Sequence, residues 1–180
     1  VMDKEKGRAA SLIRGMCAFI KQQGFKIGGF DAFTTSNVLK GSGLSSSAAF
    51  EVLVGVILSH LFNDGAIDAV EIAKLAQKSE NVYFGKPCGL MDQMASSVGG
   101  FTAIDFNDPK NPIIEKVDFN LAEHSHKLCI INTGGNHANL TGDYAAITEE
   151  MRAISTAFGE DYLRDVNEDD FFNRIAELRE

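Results

Sequence analysis

Cysteine, proline and positive charge are all scarce in this 180-residue chain, and its apolar runs are short. Cys17, Cys88 and Cys129 are odd in number and widely spaced. That excludes a disulfide framework and a cysteine-based zinc site, and leaves reduced thiols in a cytoplasmic protein as the expectation. Lys plus Arg total 17 against 25 Asp plus Glu, for a net charge of -8. This balance excludes the basic footprint of a protein that grips nucleic acid. The longest apolar run, Val52 to Leu58, falls far short of the ~20 residues that cross a bilayer, so no membrane partner is expected. Asp3, Lys4, Glu5 and Lys6 do not read as the start of a signal peptide. Internal repeats and low-complexity stretches are missing too.

What is present is core material: 44% hydrophobic residues, 13 of them Phe, with 23% charged. This suits one ordinary domain or two small ones. Basic residues gather in the first 27 positions and acidic ones from Asp143 onward, the pattern of solvated helix faces. Helical spacing of Leu12, Ile13, Met16, Phe19 and Ile20 predicts a helix over Ala9 to Gln22. Phe25 to Thr35 is a strand candidate interrupted by glycine. Ser47 to Phe62 is apolar on nearly all sides and is expected to be a central helix. Asp68 is placed to cap a helix running to about Asn81, and Met91 to about Val98 is a short helix. Phe101 to Phe106 and Ile113 to Phe119 are expected strands joined by a turn at Asp108, Pro109 and Asn111. Lys127 to Asn132 reads as a buried strand, and helices are expected from about Gly142 to Phe158 and from Asp169 to Arg179. The mixed order of elements indicates an α+β fold.

The segment Gly41-Ser42-Gly43-Leu44-Ser45-Ser46-Ser47 runs straight into the apolar helix. Glycines allow close backbone approach, and a helix start supplies free N–H groups and a positive dipole end. The serine hydroxyls add donors for phosphate oxygens or ligands for a metal. Together they read as an anion cradle suited to a nucleotide triphosphate, without the lysine of a Walker A loop, the alternative being a flexible Gly/Ser turn in which one serine caps the helix. Downstream, Gly85 to Gln93 sets Asp92 between Pro/Gly elements and a helix start. A kinase acting on a hydroxyl needs such a carboxylate, whereas spacing alone favours Asp92 as the cap of its own helix. Glu80 could be a second acid for Mg²⁺ or a solvated surface residue. Asn132 to His137 makes a polar cluster after a strand, where substrate contacts are common. His124 and His126 lack a third ligand and do not read as a zinc site.

These residues resemble the GHMP kinases. Gly41 to Ala49 is similar to the family's second signature, with Ser45 where many members have Gly. Residues 77 to 93 and Asn132-Thr133 with His137, Leu140 and Tyr144 are similar to its galactokinase branch. The resemblance implies a two-lobed α+β fold. Residues 1–120 would form a partial ATP-binding lobe of ribosomal-protein-S5-like type, lacking its first strands. Residues 121–180 would begin a ferredoxin-like lobe. It implies ATP held by Gly41, Ser42, Gly43, Leu44, Ser45, Ser46 and Ser47, with Mg²⁺ on Ser47 and Glu80. It implies Asp92 facing the sugar's anomeric hydroxyl, as base or electrostatic partner, with Gly89 and Tyr144 touching the sugar. The implied activity is phosphorylation of galactose at its C1 hydroxyl. N-acetylgalactosamine or another sugar as substrate, or a non-catalytic galactose and ATP sensor, are the alternatives. The family's first and third signatures are absent from these residues, so the chain reads as an internal, inactive piece of a longer kinase. After Tyr144 the family's Asn and paired arginines are replaced by Ala145, Ala146, Ile147 and Thr148.

Overall fold

The computed structural model describes residues 2–38, 43–108, 110–131 and 141–179. They divide into two units, residues 1–137 and 138–180, each taken by itself below.

In the first unit, helix α1 (Ala9–Gln22) buries Leu12, Met16, Phe19 and Ile20 on one stripe. Helix α2 (Ser46–Asn63) packs on α1 and on the two helices that follow it. It ends where Asp64 and Gly65 turn left-handed, at φ 52° and 75°, and Gly65 N–H donates to Ser59 O at 3.0 Å. Helix α3 (Ala69–Ser79) is capped by Asp68, whose carboxylate accepts from Glu71 N–H at 2.8 Å. Instead of continuing to Asn81 as a regular helix, it widens into a π-turn over Glu80–Phe84. Helix α4 (Met91–Val98) follows the Pro- and Gly-containing loop.

The principal core joins Met16, Phe19 and Ile20 of α1, Val52, Val54 and Leu58 of α2, and Ile72, Leu75 and Ala76 of α3. Helix approach is close enough that a Cβ on Gly55 would stand 2.7 Å from Ile72 Cγ2 and 2.8 Å from Met16 Cε, so a small residue is required there. Helix α2 has the length and apolarity to cross a membrane. Its packing on three helices, and the acidic Glu51 on its buried face, make it a core helix instead. It is not buried all round, however: Leu53, Val56 and Leu61 are exposed.

Strands β1 (Phe101–Asp105) and β2 (Ile113–Val117) form an antiparallel hairpin in which Ile104 pairs with Ile114. Both isoleucines pack on a second small core of Ala73, Leu90 and Met94, which ties the hairpin to α3 and α4. The turn is held by Asp108, whose carboxylate accepts from Lys110 N–H at 2.9 Å and Asn111 Nδ2 at 2.8 Å. These bonds hold the Asp108 carboxyl below its usual range. Pro109 lies outside the described residues.

Two expected strands are not formed. Residues 25–35 form no strand among the described residues; at their start Asn63 accepts from Lys26 N–H at 2.8 Å and donates to Lys26 O at 2.9 Å. Residues 127–131 also lack a ladder partner among the described residues. Leu128, Ile130 and Ile131 are 78%, 68% and 82% exposed, which corrects the expectation of a buried strand. A strand's apolar run is buried only when a neighbouring strand or helix covers it.

The second unit holds α5 (Thr141–Ala157) and α6 (Glu168–Arg174). Asn167 caps α6 through Asp170 N–H at 3.1 Å, and Arg174 lies 4.4 Å over the Phe158 ring. Among the described residues helices dominate beside one two-stranded antiparallel sheet, which is compatible with a partial α+β fold.

Candidate active site

The start of α2 and the start of α4 meet through one short contact. Ser45, the residue before α2, donates its hydroxyl to Asp92 Oδ2 at 2.6 Å. Ser45 stands in the left-handed region at φ 58° and ψ 47°, and Gly43 before it at φ 75°. A non-glycine residue there costs roughly 1–2 kcal/mol, which explains why glycine suits this position. Ser45 makes no side-chain cap; its hydroxyl goes to Asp92. The first N–H groups of α2 are left without intrahelical partners, as at any helix start. Gly41 and Ser42 lie outside the described residues; Gly43, Leu44, Ser46 and Ser47 lead into or begin the same helix.

Asp92 is exposed in the first turn of α4, where Leu90 occupies the cap position without a side-chain bond. The reading of Asp92 as its own helix cap is therefore set aside; its carboxylate goes to Ser45 instead. Two helix N-termini, each with a positive dipole end, bring this carboxylate and the serine-rich loop together.

Below this contact lies a buried polar cluster. Glu80 is 1% exposed, which corrects its reading as a solvated surface residue. The π-turn swings it inward at the end of α3. Its Oε2 accepts from Gln93 Nε2 at 2.8 Å and from Cys88 Sγ at 3.4 Å, while its Oε1 faces Lys86 Nζ at 3.3 Å. Gln93 also reaches Glu51 Oε2 at 3.5 Å. Burial and then the charge of Glu80 push the Glu51 carboxyl up to about 9, so Glu51 is neutral at pH 7. The same two causes, in the same order, push the Cys88 thiol up to about 12.

The loop ahead of α4 is pinned by its backbone. Asn81 accepts from Cys88 N–H at 2.7 Å and donates to Cys88 O at 3.3 Å, and Gln77 donates to the same oxygen at 3.2 Å. Thus the end of α3 and the π-turn after it hold the loop from which α4 starts. Gly89, in this loop, has open space on its Cβ side. Tyr144 is half exposed on α5 of the other unit. Asn132 to Leu140 lies outside the described residues.

Glu51, Gln93 and Lys86 are functional candidates that the sequence did not single out. The signal for Glu51 was available: it is the one acid within an otherwise apolar helix. The open apolar groove of about 370 Å³ is elsewhere, lined by Phe30, Val56, Ile57 and Leu61 among others. Ile57 lies eleven residues, or about 16 Å, along α2 from Ser46.

The GHMP kinases N terminal domain matches this sequence over residues 11–100. The chain belongs to the GHMP kinase family. That stretch contains Ser45, Glu51, Glu80, Asp92 and Gln93. This GHMP kinase chain is similar to the galactokinase of Clostridium tetani (strain Massachusetts / E88), 45% identical over 86 residues, covering 48% of this chain and 22% of that protein. It is 34% identical over 172 residues to the galactokinase of Actinobacillus pleuropneumoniae serotype 5b (strain L20), covering 94% of this chain and 44% of the relative. The Streptomyces coelicolor (strain ATCC BAA-471 / A3(2) / M145) galactokinase is 32% identical over 152 residues, 84% of this chain and 39% of its own. The GHMP kinase chain thus spans less than half the length of these relatives.

Proposed function

We propose that the full protein to which this chain belongs is a galactokinase, moving the γ-phosphoryl group of ATP to the C1 hydroxyl of galactose. The observation that carries this is the 2.6 Å bond from Ser45 to Asp92, which joins the serine-rich loop to the candidate acid. The similarity to three curated galactokinases supports the sugar.

In this reading residues 41–47 and the α2 N-terminus hold the ATP phosphates. Asp92 sits beside them and orients the sugar hydroxyl, as base or as electrostatic partner. The bond between the sugar oxygen and the γ-phosphorus forms as the bond to the β-phosphate bridging oxygen breaks, and the hydroxyl proton leaves on the Asp92 side. Gly89 would contact the sugar. Phosphoryl transfer depends on positioning and charge placement, so the 180-residue chain, spanning under half of its relatives, is proposed to be inactive alone.

The residues fit Mg²⁺. Ser47 and Glu51 are four apart on α2 and share a face, and Glu51 meets Glu80 through Gln93. Glu80 Oε1 already faces a cation, the Lys86 ammonium, at 3.3 Å. A hard oxygen set of one hydroxyl and one carboxylate, completed by substrate phosphates, suits Mg²⁺. Bound there, the ion would neutralise phosphate charge; Ser47 and Glu80 would hold it.

The test is ATP consumption by the full-length protein against galactose, N-acetylgalactosamine, arabinose, homoserine and mevalonate. Strong preference for galactose is expected. Preference for N-acetylgalactosamine would move the substrate within the family. Silence on every acceptor, with galactose and ATP still raising Tm, would replace the enzyme with a sensor.

A further inference from the structure

The two oxygens of Glu80 face different surroundings, and the difference has a cause. Oε2 points inward to Gln93 Nε2 at 2.8 Å; Oε1 points toward the partly exposed Lys86. Gln93 is 1% exposed and spans two carboxyl groups from two other helices, Glu51 of α2 and Glu80 at the end of α3. Both Glu51 Oε1 and Gln93 Oε1 are buried without a hydrogen-bond partner among the described residues. A buried polar group without a hydrogen bond is costly, and its retention in a fold calls for a structural or chemical reason. An apolar residue at 93 would fill the same space without that cost.

We propose that Gln93, braced by Glu51, is a positioning residue that holds Glu80 by one oxygen and so presents the other to the nucleotide-bound cation. This rests on the reading of Glu80 as a Mg²⁺ ligand. The geometry adds a second consequence. Gln93 directly follows Asp92, so the buried amide also fixes the first turn of α4 that carries the candidate acid. One side chain thereby registers the metal-holding carboxylate against the sugar-facing one. Residues that orient a metal-ligating carboxylate typically change metal affinity about 10- to 100-fold when lost.

The experiment uses the full-length protein, ADP and Mg²⁺. The rise in Tm caused by ADP is followed as Mg²⁺ is titrated, for wild type, Glu80→Gln and Gln93→Met. Methionine keeps the length of glutamine and removes its hydrogen bonds. Expected are a Mg²⁺ midpoint raised about tenfold in Gln93→Met and unchanged stabilisation by ADP without Mg²⁺. A merely structural role would lower Tm under every condition and leave the midpoint in place. If Gln93→Met does not fold, Gln93→Asn, which keeps the amide but falls a methylene short of Glu80, carries the same expectation. A midpoint within twofold of wild type in the folded variant, with Glu80→Gln shifting it, overturns the proposal alone. No shift in Glu80→Gln overturns the metal reading of Glu80 and this proposal with it.

Discussion

Ser45 and Asp92 stand 47 residues apart in sequence and are joined by a 2.6 Å hydrogen bond. The bond links the last residue before α2 to the first turn of α4, and the serine that makes it stands in the left-handed region. Strain at one residue is exchanged for a contact between loop and acid.

The exchange can be measured with two substitutions. Ser45→Ala loses the hydroxyl and keeps the strained backbone; Ser45→Gly loses the hydroxyl and relieves the strain. Ser45→Gly is expected to be the more stable by about 1 kcal/mol, read by denaturant unfolding. Equal stabilities would mean that the left-handed geometry at 45 carries no cost.

Lys86 is expected to compete with Mg²⁺ for Glu80. The lysine end of the pair is partly exposed while the glutamate end is buried, so removing the ammonium leaves the carboxylate in need of another cation. Lys86→Met should therefore lower the Mg²⁺ needed for half-maximal activity by about a few-fold. A raised requirement would show that Lys86 helps to hold the metal-bound nucleotide.

Glu51 gives a pH signature. Its carboxyl titrates near 4.5 when free and near 9 in the folded protein, because of burial and then the charge of Glu80. Between those values the folded protein keeps a proton that the unfolded chain releases. This contribution to stability is complete below the lower value and is lost as pH rises toward the higher one. Glu51→Gln should flatten the fall in stability between pH 6 and 8 and gain a few kcal/mol at pH 8. An unchanged slope would mean that Glu51 is ionised in the fold.

The helices were legible because their signals are local. The α1 stripe, the Asp68 cap and the Asp64-Gly65 stop all work within one or two turns. The hairpin was legible from alternation and its Asp108 turn. Residues 25–35 and 127–131 misled because an apolar run states a preference for burial and cannot name the neighbour that provides it. At the site, the serine loop and Asp92 were legible as motifs, whereas the inward turn of Glu80 depends on a π-turn with no sequence marker of its own. Gln93 was missed since its partners come from 42 and 13 residues away.

The most direct test of the account is the Asp92→Asn variant of the full-length protein, assayed for galactose phosphorylation and for ATP binding side by side. Turnover is expected to fall at least about a hundredfold, the lower scale for loss of a positioned acid or base, with ATP affinity within a few-fold of wild type. Near-normal turnover would contradict it, by removing Asp92 from the chemistry.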